Sequence, residues 1–147
     1  MKIYFDNCCY FRPFDDQTQD RVLIETNAIT AILFRCTSGV WELIGSEVLE
    51  FEMSKVNDTS KLEKVKAMYK STAGRITIND EIRQRANLFS QYGVSPMDAL
   101  HVASAESAKV DVYLTTDDAL IKRIAETDIK IDVRNPVHWI MEVLENE

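Results

Sequence analysis

Residues 95–124, SPMDALHVASAESAKVDVYLTTDDALIKRI, constrain the fold of this chain more than any other stretch. They read as helix, strand, turn and helix. Ser95 suits an N-cap, and Pro96 suits the first helical position, where its missing N–H is no loss. Ala99, Ala103, Ser104, Ser107 and Ala108 keep this helix thin enough to lie close against a sheet. Val110, Val112, Tyr113 and Leu114 form a buried strand, and Leu120, Ile121 and Ile124 open the next helical pattern. The strand runs out into Thr115-Thr116-Asp117-Asp118, and open α/β sheets hold ligands at the carboxyl ends of their strands. Asp98 falls in the first turn of the preceding helix, where the helix dipole favours a carboxylate. Both acids also have a plain structural use. Ser95-x-x-Asp98 matches a capping box, and Thr116 or Asp117 could cap the following helix. Their meaning turns on whether other acids end other strands at the same rim.

The rest of the chain supplies those strands. Ile3-Tyr4-Phe5 reads as a buried first strand with Asp6 at its end. Residues 7–16, with Pro13 and the Asp15-Asp16 pair, read as a turn. A long helix is expected from about 17 to 35, with Val22, Ile29, Ile32 and Leu33 on one face. Val40 to Ile44 reads as the second strand, and Ser46 caps a helix carrying Glu47, Glu50 and Glu52. Leu62, Val65, Met68 and Tyr69 mark another helix, whose outer face is Lys61, Lys64, Lys66 and Lys70. This basic stripe is a solvated face or a surface for an RNA backbone. Residues 75–78 are a short extended piece. Asn79 caps a helix that Gly93 terminates. Ile129, Ile131 and Val133 alternate as a last strand, and Asn135-Pro136 opens a C-terminal helix whose Trp139 is available to a partner surface. Trp41 reads as core. Strands alternating with helices imply parallel pairing through right-handed crossovers. The expected fold is one α/β domain over 1–147, a three-layer α/β/α sandwich around a mainly parallel twisted sheet.

Composition narrows the functional classes. With 46% hydrophobic and 28% charged residues, the chain has the make-up of a globular protein. No run approaches the roughly 18 apolar residues of a membrane span. The start, MKIYFDN, lacks the pattern of a signal peptide. Cys8, Cys9 and Cys36 match no zinc spacing and read as reduced thiols of a cytoplasmic protein. The formal net charge of −7 argues against a broad basic surface for duplex nucleic acid. A cluster of acids around a divalent cation would add to that count while reversing the local sign.

Four acids fit such a cluster. Asp6 closes the first strand, Glu52 lies on the helix after the second, and Asp98 and Asp117 flank the strand at 110–114. If the first strand and that strand are neighbours, Asp6 and Asp117 emerge together within reach of Asp98. Like charges resist joint ionisation, and a hard cation with oxygen ligands removes that penalty. Metal held by carboxylates can activate water and stabilise charge on a phosphodiester. No serine nucleophile elbow and no glycine-rich phosphate loop compete. His101, one turn after Asp98, could point into the site, but packing or hydrogen bonding within the fold is the commoner use of such a residue. Arg12 could reach a phosphate or serve the surface, and Lys122 and Arg123 could contribute to a nucleic-acid path, although such residues at the end of a helical turn are more often a solvated face.

On IYFDNC, GSEVLEFE, SPMDALHVASA and YLTTDDALIKRI, which span nearly the whole chain, the sequence resembles PIN-domain proteins. These are small metal-dependent ribonucleases that include the VapC-like toxins. The resemblance matches Asp6, Glu52, Asp98 and Asp117 to the family's four acids. It implies Asp6, Asp98 and Asp117 as ligands of Mg²⁺ or Mn²⁺, with Glu52 completing the cluster or orienting the attacking water. It further implies an RNA substrate, an antitoxin partner and a homodimer. Asn7 and Cys8 depart from the Thr and polar residue common after the first acid, and Asp118 stands where relatives often carry Lys or Arg. The rival reading is a PIN scaffold with weak or absent catalysis that binds RNA or a protein, motivated by Cys8 and the acidic charge. A receiver or phosphatase reading wants an acid two residues after Asp6, where this chain has Cys8.

Overall fold

The computed structural model describes residues 1–147. Five strands form one parallel sheet: β1 (Lys2–Phe5), β2 (Glu42–Ser46), β3 (Thr72–Ile76), β4 (Val112–Leu114) and β5 (Asp132–Arg134). Eight helices connect them: α1 (Asn7–Phe11), α2 (Asp20–Thr37), α3 (Glu47–Ser54), α4 (Thr59–Tyr69), α5 (Asp80–Ser90), α6 (Pro96–Ser107), α7 (Asp118–Ile124) and α8 (Pro136–Glu145). A turn of 3-10 helix at Arg12–Phe14 joins α1 to the loop before α2. No helix is long and apolar enough to cross a membrane.

The strand order is β3-β2-β1-β4-β5. The chain therefore moves outward from β1 to β3, crosses back, and continues from β4 to β5 on the other side. Right-handed crossovers then place helices on both faces of the sheet. α2 packs with α8 on one face, and α5 packs with α6 on the other. This is the three-layer α/β/α arrangement expected from the alternating pattern.

The middle of the sheet is apolar on both faces, as a covered parallel sheet must be. Ile3, Tyr4, Phe5, Leu43, Val112, Tyr113 and Leu114 are fully buried. Tyr4 lies opposite Tyr113 in register, and their rings stack with centroids 5.2 Å apart. Phe5 meets Tyr10 edge-on at 5.5 Å. Every α-helix except α2 begins where a short polar side chain satisfies an orphan N–H group. Ser46, Asn79, Ser95, Asp117 and Asn135 accept from Leu49, Ile82, Asp98, Leu120 and Val137 respectively. Gly93 takes a positive φ of 84° in the turn from α5 to α6, where a side chain would be strained.

Several elements differ from the sequence pattern. Residues 7–14 are helical rather than a turn, because Asp6 caps them and Pro13 sits at the start of the 3-10 turn, where it is tolerated. The second strand begins at Glu42 and leaves Val40 exposed. The third spans Thr72–Ile76, earlier than the extended piece at 75–78, since its pairing with β2 sets its bounds. Trp139 is not at a surface. It is 5% exposed and meets Trp41 edge-on at 5.1 Å, joining α8 to the segment before β2.

Trp139→Ala is therefore expected to destabilise the protein by about 3–5 kcal/mol, the range for removing a buried large aromatic. Chemical denaturation measures this directly, and a change below about 1 kcal/mol would fit a surface role instead.

Candidate metal centre

Parallel strands end at one rim, and helices that run antiparallel to them begin there. Asp6 follows β1, Ser46 ends β2 and starts α3, and Thr115 to Asp117 follow β4. α6 leads back into β4, so its first turn, with Asp98, also lies at this rim. β1 pairs with β4 in the register Phe5 to Leu114. The chain turns to one side after β1 and to the other after β4, so the crevice beyond them is the topological switch point of the sheet.

Asp6 is only 5% exposed. Its Oδ1 accepts from the Asn7 N–H at 2.7 Å as the cap of α1. Its Oδ2 accepts from the Thr115 hydroxyl at 2.7 Å and from the Cys8 thiol at 3.5 Å. Thr115 in turn accepts from the Asp117 N–H at 3.1 Å. The Thr116 N–H donates to Cys8 Sγ at 3.4 Å. Cys8 thus lines the crevice and ties the ends of β1 and β4 together. Cys9 is fully buried, and burial pushes its thiol well up from its ordinary value.

Asp98 is half-buried on α6, and its carboxyl is raised from the ordinary 3.8. Burial is the main cause, the charge of Asp6 comes next, and Asp117 adds to it; Ser95 and His101 pull the other way. Asp117 is exposed and caps α7 through Leu120 N–H at 3.1 Å. Glu52 comes from α3 and meets His101 Nε2 through Oε1. Oxygen or nitrogen atoms of Asp6, Glu52 and His101 lie within 4.8 Å of one another. The tightest group at the rim is therefore Asp6, Glu52 and His101. Asp98 and Asp117 bear on it through the charge effects just described. None of Asp6, Asp98 and Asp117 forms an ion pair with Lys or Arg.

Hydrogen bonding within the fold does account for His101, but that bonding engages Glu52. The position three residues after Asp98, on the same helical face, was the available signal. Tyr4 and Ser46, which hold the other side of His101, carried no local signal beyond strand and cap patterns. Arg12 is not free for phosphate. It reaches Glu25 at 3.2 Å, Asp15 at 3.1 Å and Thr116 Oγ1 at 2.9 Å. Arg21 binds Asp118 at 2.8 Å and the Thr116 carbonyl at 3.1 Å. These two arginines brace the loop that carries Asp117. Glu25, 2% exposed, anchors both of them and accepts from Asn135 Nδ2 at 2.8 Å. Lys64, Lys66 and Lys70 lie on an exposed face of α4, with Lys61 half-buried.

Neither a protein-family model nor a curated protein matches the chain. Solved structures do. A toxin-antitoxin complex from Klebsiella pneumoniae superposes with a TM-score of 0.60 at 17% identity, over 91% of this chain and 97% of that one. VapBC2 from Rickettsia felis, solved with a fragment of its promoter DNA, gives 0.59 at 13% identity, over 92% and 98%. VapBC-1 from Haemophilus influenzae gives 0.56 at 14% identity, over 92% and 98%. The likeness is one of fold, and it covers about nine-tenths of this chain. The chain has a VapC-like PIN-domain fold.

The raised carboxyl of Asp98 has a sign that can be checked. The folded protein holds this proton more tightly than the unfolded chain does. Metal-free stability is therefore lost as pH rises from about 3.8 through the higher folded value, and it stays lower above that. In EDTA at neutral pH, Asp98→Asn is expected to melt higher than the wild type, with the gap closing below pH 3.8. Melting curves against pH measure this, and a lower melting temperature at neutral pH would make Asp98 chiefly a capping acid.

Proposed function

We propose that the protein is a Mg²⁺- or Mn²⁺-dependent endoribonuclease, the toxin of a toxin–antitoxin pair. The observation that carries this reading is the buried, unpaired carboxylate of Asp6. Its partners are neutral donors, and the like charge of Asp98 faces it, with Asp117 bearing on Asp98 in turn. A buried charge normally has a counter-charge. With no Lys or Arg present, an oxygen-liganded divalent cation fits the donor set.

Asp6, Asp98 and Asp117 would hold the cation, with Glu52 completing the cluster. Bound there, it would make water a competent nucleophile at neutral pH and offset charge developing on a phosphodiester. The chain's own part is orientation. Thr115 and Asn7 fix the Asp6 carboxylate, and Arg12 and Arg21 hold the Thr116 loop behind Asp117. Glu52 Oε1 is taken by His101, which leaves Oε2 to accept a hydrogen bond from the attacking water. The similar folds are named as toxin–antitoxin proteins, which supports a protein antitoxin as partner. An RNA substrate and a homodimer belong to the same reading. The rival, a PIN scaffold without catalysis, draws on Cys8, whose thiol is a weak donor to Asp6.

Labelled RNA incubated with the protein in Mn²⁺, Mg²⁺ or EDTA tests the proposal. Cutting should need the divalent ion and leave 5′-phosphate and 3′-hydroxyl ends, because water and not the RNA 2′-hydroxyl attacks. Asp117→Asn should slow cutting by at least ~100-fold, since each 1.36 kcal/mol is tenfold and an anionic ligand is lost. RNA binding should change little, because phosphate contacts come mainly from Lys, Arg and polar donors. Equal cutting in EDTA, or 2′,3′-cyclic phosphate ends, would overturn the mechanism. Calorimetry showing no Mn²⁺ binding would favour the inactive scaffold.

A further inference from the structure

A buried chain of hydrogen bonds runs from the backbone of α3 across β1 to α6 and back to Glu52. The Leu49 N–H donates to Ser46 Oγ at 3.0 Å. Ser46 Oγ lies 2.7 Å from the Tyr4 hydroxyl, and that hydroxyl lies 2.6 Å from His101 Nδ1. His101 Nε2 meets Glu52 Oε1. Ser46, Tyr4 and His101 are each fully buried.

The polarity of this chain is decided by counting donors. Ser46 Oγ already accepts from Leu49, and the Tyr4 oxygen is the only acceptor within reach of the serine proton. Tyr4, receiving that proton, has its own O–H left for His101 Nδ1. A ring that accepts at Nδ1 carries its proton on Nε2, aimed at Glu52. Reversing the chain would strand the serine proton in a dry interior, and a buried donor left without an acceptor bears its full desolvation penalty. In a neutral ring it would also set the Nε2 lone pair against the Glu52 carboxylate.

We infer that His101 is a positioning residue that clamps Glu52 by an N–H donated from Nε2, and that it is not itself a ligand of the cation. Its nearness to Asp6 and Glu52 would otherwise suggest a three-ligand site with nitrogen. The role in cation binding rests on the metal reading above, whereas the hydrogen-bond polarity does not. α6 then carries two functions on one face, Asp98 at the rim and the clamp one turn below it. Ser46 serves both as the cap that starts α3 and as the first donor that sets the His101 tautomer. Gly45 before it lets the Tyr69 ring come close, and the Tyr69 hydroxyl accepts from the Ser46 N–H at 3.0 Å.

The test combines ¹⁵N NMR of the histidine rings with Mn²⁺ calorimetry. The chain has two histidines, so His138→Gln assigns the signals. The expected spectrum has the proton on Nε2, with and without Mg²⁺, and its shift moves in Glu52→Gln. His101→Leu should weaken Mn²⁺ binding about 10–100-fold, the usual effect of losing a group that orients a ligand. His101→Gln, whose amide can donate to Glu52, should restore binding relative to the leucine variant. Nitrogen hyperfine coupling from the ring to bound Mn²⁺, an unprotonated Nε2, or wild-type affinity in His101→Leu would overturn the clamp. If His101→Leu does not fold, the wild-type spectrum decides by itself. A wild type that takes up no Mn²⁺ sinks the metal reading alone, and the clamp then stands or falls on the Nε2 proton.

Discussion

The pairing of β1 with β4 is the constraint on which the rest of the structure depends. It sets the Asp6 N–H on the Leu114 carbonyl at 2.9 Å and so brings the Thr115 hydroxyl to the Asp6 carboxylate. A carboxylate that is 5% exposed must recover the hydration it loses, and at this point it recovers it from neutral donors only. Neutral donors compensate part of the loss, and the like charge of Asp98 on α6 works against them. The rim thus concentrates negative charge, which the cation proposed above would relieve.

Holding that charge in place requires a stiff frame around it. Below the rim the frame is aromatic and apolar, with Tyr4 stacked on Tyr113 and Ala99, Ala103 and Ala105 of α6 in the same buried core. Beside the rim it is ionic. Glu25 gathers Arg12 and Arg21 within 3.3 Å, and the two arginines grip Thr116 from its side chain and its carbonyl. The arginines therefore act on the site through the loop and contribute no free cation to the crevice. This arrangement separates positive charge from the acids although both lie near the end of β4.

The polar chain through Ser46, Tyr4 and His101 lies between these two parts. A satisfied network of this kind specifies one arrangement of its members, because any other leaves a buried donor unpaired. It couples the start of α3 to the face of α6, two elements that also pack on each other. The orientation of Glu52 follows from packing across the sheet and not from the helix on which it sits.

The local parts of this protein were legible in its sequence. Short apolar runs marked the strands, and Ser46, Asn79, Ser95 and Asn135 marked the helix starts, because a cap acts over three residues and a strand pattern over two. The order of elements implied a parallel sheet with acids at one rim, and Asp6 and Asp117 do follow neighbouring strands. Residues 7–14 were opaque because a single helical turn is too short to show a period. Trp139 looked available because amphipathic patterning cannot name the surface that covers a helix. The partners Tyr4 with His101 and His101 with Glu52 lie 97 and 49 residues apart in the chain. So do the long-range contacts of Arg12 with Thr116 and Glu25 with Asn135, at 104 and 110 residues. Such pairs depend on strand order and helix placement, which are chosen by the burial of the whole core. The sequence by itself determined which residues could be ligands; only tertiary packing decided which of them meet, and which neighbours hold them.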